Sequence, residues 1–117
     1  MKRFFVITVI AAALLAFSNC NPGKKAASKP PPKATYTADL SVVIMNNCVP
    51  CHIPAKGGRK KAYDNYASVK TDIDEMIRRI GLNPTDKGFM PFKKTERLND
   101  STIAVFKKWK DDGLLEN

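Results

Sequence analysis

Only the 82 residues from Tyr36 to Asn117 of this 117-residue chain carry the apolar spacing from which a core can be built. A domain of that size buries little surface and is marginal without a disulfide, a metal or a cofactor. The stretch just before it adds nothing to a core. Asn21 to Thr35 holds four Pro, four Lys, three Ala and one Gly, with no aromatic or large aliphatic side chain. Such a segment has no surface to bury against the entropy of ordering it, and reads as a flexible tether (21–35), extended around Pro30-Pro31-Pro32. At about 3.1 Å per residue, it reaches roughly 45 Å when extended. The formal charge of +9, from 20 Lys+Arg against 11 Asp+Glu, sits largely ahead of the folding unit. Lys2, Arg3, Lys24, Lys25, Lys29 and Lys33 precede Tyr36, and beyond it 14 basic residues face 11 acidic ones. No basic face of the kind a nucleic-acid-binding domain needs follows from that balance.

The first residues read as an address. Met1-Lys2-Arg3 leads into fourteen residues, Phe4 to Phe17, whose only non-apolar member is Thr8. A helix needs about 20 apolar residues to span a bilayer, so the run is short for a permanent anchor and matches a secretory signal, residues 1–19. Phe17-Ser18-Asn19-Cys20 resembles the end of a bacterial lipoprotein signal. That resemblance implies acylation of Cys20 as the mature N-terminus and attachment to a bacterial membrane, facing the periplasm or the cell exterior. A cut after Ala16-x-Ser18 is the alternative, and leaves Cys20 as a free thiol. The tether lysines either rest on anionic headgroups or are simply solvated.

The candidate staple is Cys48-Val49-Pro50-Cys51-His52. In an exported protein, two cysteines first suggest a disulfide, and C-x-x-C with an internal Pro suits a thiol–disulfide oxidoreductase. Such a site follows a buried strand, whereas Leu40, Val43 and Ile44 precede this one at helical spacing. Zinc is weaker still, because only three soft ligands are present and His52 adjoins Cys51. C-x-x-C-H is also the spacing of covalent haem attachment. Two thiols add to the vinyl groups of one porphyrin edge, and the next residue, His52, is carried under the ring to bind iron. His52 is the only histidine in the chain, so no other imidazole can serve.

With these residues the chain resembles the cytochrome c family, as a small class I-like monohaem domain over 36–117. The resemblance implies an all-α, cytochrome c-like fold with N- and C-terminal helices packed around one covalently bound haem c. It also implies a second axial ligand from a methionine in the loop before the last helix. Met90, 38 residues after His52 within Gly88-Phe89-Met90-Pro91-Phe92, matches that position. A thioether favours ferrous iron and raises the potential relative to two nitrogen ligands. Met45 is expected to pack against haem or core, and Met76 falls in the helical stripe Ile73-Met76-Ile77-Ile80.

The spacing predicts a first helix capped by Thr37 and running to about Asn47. Ile53 to Lys61 follows as a loop, then a short helix from Asn65 through Lys70. A longer helix starts at Thr71 or Asp72 and ends at Gly81, and Asn83 to Leu98 forms an irregular methionine loop. Asn99 or Asp100 caps a last helix to about Asp112, stopped by Gly113, with Ile103, Phe106 and Trp109 as its apolar stripe. The resemblance implies that this helix crosses the first through Phe106 or Trp109. Val43, Ile77, Phe89 and Phe92 are expected to keep water from the haem. Lys56-Gly57-Gly58-Arg59-Lys60-Lys61, with Lys87, Lys93 and Lys94, is either solvated surface or a docking ring for acidic redox partners. The expected function is an electron carrier, not an enzyme, moving single electrons between membrane-associated or periplasmic redox proteins. A haem ligand-binding, sensing or peroxide-reactive module with an open distal face is the alternative, and the thiol–disulfide oxidoreductase a third.

Overall fold

The computed structural model describes residues 29–117, so the expected signal segment, Cys20 and most of the expected tether lie outside the described residues. The compact unit spans Pro32–Asn117, beginning slightly ahead of the Tyr36 boundary expected from composition. The reason is a seam between the two ends of the unit. Ala34 is buried and donates its N–H to the Asp112 carboxylate. Thr35 forms a parallel bridge with Leu115, Tyr36 N–H donates to the Leu115 carbonyl (2.9 Å), and Thr37 N–H donates to that of Glu116 (3.0 Å).

The architecture is all-α, with three α-helices and no strand among the described residues. A π-helical turn, Tyr36–Leu40, runs without interruption into α1, Ser41–Asn47. Thr35, rather than Thr37, caps it. Thr35 accepts from Ala38 N–H, and its own N–H donates to Asp39, satisfying donors that the first turn leaves open. The Thr37 hydroxyl is already committed to the Glu116 carbonyl. After a 3-10 turn at Pro54–Lys56, α2 occupies Tyr66–Ile80 as one helix where two were expected. Asn65 caps it by accepting from Ser68 N–H, whereas Thr71 sits in its interior and bonds back to the Ala67 carbonyl (2.9 Å). Gly81 follows α2 with φ −86°, so it closes the helix without the left-handed turn typical of a C-terminal glycine. The final helix, α3, is Asp100–Asp111, capped by Asn99 through Thr102 N–H. Gly113 beyond it takes φ +101° as the left-handed stop. No helix among the described residues is long and apolar enough to cross a membrane.

One core joins all three helices. Leu40 and Ile44 meet Val69, Ile73, Met76 and Ile80 of α2 and Ile103, Phe106 and Trp109 of α3. The α3 helix packs on α2 and on the π-helical turn. Trp109 carries the contact of α3 with the π-helical turn and with the start of α2, its ring lying 6.2 Å from Tyr36 and 6.1 Å from Tyr66. Trp109 is fully buried and donates its indole N–H to the Leu115 carbonyl (2.6 Å), so it braces the terminal seam as well. Burying a side chain of that size is worth about 4–6 kcal/mol before entropy is counted. Met76 is core, as its stripe predicts, whereas Met45 is 40% exposed and does not line the cleft.

Candidate functional site

A cleft of about 990 Å³ opens between the end of α1, one face of α2 and the loop that precedes α3. That is the upper end of the roughly 300–1,000 Å³ usual for cofactor and ligand sites. Cys48, Cys51, His52 and Met90 all line it, although they come from two segments far apart in sequence. Met76, Ile80, Phe89 and Phe106 give it apolar walls. Of the four residues expected to exclude water, Phe89 lines the cleft and is buried, while Phe92 stands at its edge, 67% exposed. Val43 and Ile77 pack against the core and do not line the cleft.

The cysteine–histidine segment is shaped by the chain that follows it. α1 ends as Cys48 N–H donates to the Ile44 carbonyl, and His52 N–H donates to that of Cys48 (3.0 Å). The chain then doubles back. Gly58 N–H donates to Ile53, Lys60 N–H to Cys51 and Tyr63 N–H to His52, all through backbone carbonyls. Gly58 is required there because a Cβ would stand 2.3 Å from the Pro50 oxygen and 2.7 Å from that of Cys51. The doubled-back segment delivers two groups to His52. The Lys61 carbonyl accepts from Nδ1 at 2.7 Å, and the Tyr63 ring stacks on the imidazole with centroids 4.6 Å apart and planes within 16°. Because a carbonyl can only accept, Nδ1 carries the proton and Nε2 is the nitrogen left to bind a metal. A backbone carbonyl on the far nitrogen is the usual orienting partner of a metal-ligating histidine.

Met90 is held by a separate segment. Asn83, Asp86 and Phe89 close consecutive turns: Asp86 N–H donates to the Asn83 carbonyl and Phe89 N–H to the Asp86 carbonyl. Gly88 between them has φ +93°. Met90 N–H then donates to the Arg79 carbonyl (3.2 Å), tying the methionine loop to the last turn of α2. That turn is itself fixed by Glu75, which takes both Arg78 and Arg79. The Arg78 guanidinium, followed by that of Arg79, holds the Glu75 carboxyl down at about 2.

Burial pushes the Cys48 thiol up to about 11, and no disulfide joins it to Cys51. Burial, then the bond to Asp72, raises the Tyr63 phenol to about 12, so it remains a neutral donor. Sequence reasoning singled out Cys48, Cys51, His52 and Met90, and the fold brings all four to one cleft. It missed Tyr63, Asp72 and Arg79, whose roles depend on the doubled-back segment and on the face that α2 turns to the cleft. The only available signal was an aromatic residue shortly after the histidine. No family model, curated protein or solved structure matches the chain.

Proposed function

We propose that this chain is a c-type cytochrome, a tethered carrier of single electrons between redox proteins, with a cytochrome c-like arrangement of its helices. One observation carries the reading: Cys48, Cys51, His52 and Met90 share one apolar-walled cleft, with His52 already held through Nδ1 and its Nε2 free. These residues fit a haem. The two thiols suit thioether attachment, His52 and Met90 would hold the iron, and the cleft has the volume and apolar walls that a macrocycle needs. Bound there, haem supplies a one-electron iron couple, which His/Met ligation places at higher potential than two nitrogen ligands would.

The protein's own residues do the rest. Lys61 and Tyr63 fix the imidazole plane. The Arg79 carbonyl anchors the methionine loop, and Phe89 and Phe106 keep water from the cleft walls. Holding both ligands on hydrogen-bonded segments limits rearrangement when the charge on the iron changes. The carrier has no substrate chemistry of its own. Lys60, Lys87, Lys93 and Lys94 border the cleft, and the ion pairs among the described residues do not include them. They suit weak, steered encounters with acidic redox partners. Export, acylation of Cys20 and membrane attachment complete the proposal, placing the chain where covalent haem is assembled.

The test is whether haem stays with the chain after denaturation, once the protein is matured in an exporting host. Retention in the wild type and a lost thioether in Cys48→Ser are expected. Release of all haem by acid and organic solvent from the wild type overturns the covalent reading.

A further inference from the structure

Asp72 lies on α2 and lines the same cleft, where it grips both groups that hold His52. Lys61 Nζ pairs with its carboxylate at 2.6 Å, and the Tyr63 hydroxyl donates to Oδ2 at 3.0 Å. Those two residues flank Ala62 on the doubled-back segment. Lys61 gives its carbonyl to His52 Nδ1, and Tyr63 lays its ring on the imidazole. A single carboxylate therefore pins both ends of a three-residue clamp. We propose that Asp72 is a positioning residue for the iron ligand: it sets the tautomer and ring plane of His52 from α2, acting through Lys61 and Tyr63.

The geometry argues for this over simple surface charge. The Asp72 carboxylate is only one-fifth exposed, unlike the acids of the ordinary surface pairs, such as Asp74 with Lys110 and Asp100 with Arg97. Its two bonds converge on residues that both touch His52. Without them, residues 61–63 are held by the backbone bond from Tyr63 N–H to His52, the bond of the Lys61 carbonyl to Nδ1 and the packing of Tyr63 against the core. The Lys61 carbonyl and the Tyr63 ring are then held less firmly against the imidazole. A hydrogen bond to the far nitrogen makes a histidine a stronger donor to its metal, so loosening it weakens stabilisation of the oxidised iron and moves the potential upward.

The inference rests on the haem reading for its consequence at iron, but not for its geometry. The experiment follows solvent exchange of the His52 Nδ1–H by NMR, and the reduction potential, in matured wild-type, Asp72→Ala and Asp72→Asn proteins. In Asp72→Ala, exchange should accelerate roughly fivefold, the effect of losing one ordinary net hydrogen bond, with a higher potential. Asp72→Asn, whose amide oxygen still accepts, should recover most of both. Tyr63→Phe, which keeps the stack but loses the link to Asp72, gives a milder version if Asp72→Ala does not fold. Equal exchange and equal potential in wild type and Asp72→Ala, or in wild type and Tyr63→Phe, overturn the proposal. If the wild-type chain carries no haem, the haem reading fails by itself, and the exchange comparison on the isolated chain still decides the role of Asp72.

Discussion

Replacing Gly58 by alanine places a methyl group against three backbone atoms: the oxygens of Pro50 and Cys51, and the Ile53 nitrogen at 2.8 Å. None of them lies at the end of a flexible side chain, so relief requires the doubled-back chain to separate from the Cys48–His52 segment. Overpacking of this kind costs about 1–3 kcal/mol. Separation also strains the bonds from Gly58 N–H to Ile53 and from Lys60 N–H to Cys51, each worth about 1 kcal/mol. A total near 3 kcal/mol corresponds to a fall in melting temperature of roughly 12–24 °C for a domain of this size. Gly57→Ala is the matched control. Its φ of +82° penalises alanine, but nothing lies within 4 Å of the added carbon. It should therefore cost only the left-handed strain of about 1–2 kcal/mol and leave the site undisturbed. Thermal unfolding of the two variants decides the matter. A Gly58→Ala melt at or above that of Gly57→Ala refutes the packing argument.

Met90→Ala should open the iron to carbon monoxide in the reduced protein, seen as a new optical band; a wild-type spectrum removes Met90 as ligand. Trp109→Phe loses the indole bond to Leu115 and leaves a void at the seam, for about 2–3 kcal/mol by denaturant unfolding; a change under roughly 0.5 kcal/mol contradicts its bracing role. Acid should loosen the His52 clamp. Lys61, and then Tyr63, hold the Asp72 carboxyl below its ordinary value. The unfolded chain therefore takes up this proton first as pH falls below about 4, and the stabilisation, complete above that pH, is lost as pH drops through the lowered folded value. Stability measured from pH 6 downward should fall less steeply in Asp72→Asn than in wild type, and parallel curves contradict the assignment.

How far the sequence spoke depended on how local the signal was. Asn99 and Gly113 bound the last helix as expected because a cap and a left-handed stop act within a few residues. Thr37 was passed over as a cap because its hydroxyl is taken by the Glu116 carbonyl, a partner nearly the whole domain away. Thr71 reads as a helix start by type, but within α2 its hydroxyl closes on Ala67. The cysteines and histidine are legible because their spacing alone defines the motif, and Met90 because it stands outside any helical stripe. Tyr63 and Asp72 are invisible in that reading. Nothing in their neighbours shows that the chain doubles back at Gly58 and brings them to His52.

The most direct test of the account is the optical spectrum of the matured protein, oxidised and reduced, with carbon monoxide then added to the reduced form. A low-spin c-type spectrum that carbon monoxide leaves unchanged is the predicted result, with His52 and Met90 both on iron. A reduced spectrum that shifts with carbon monoxide contradicts the six-coordinate carrier and moves the site to ligand binding. No haem absorbance, despite active maturation, contradicts the account as a whole.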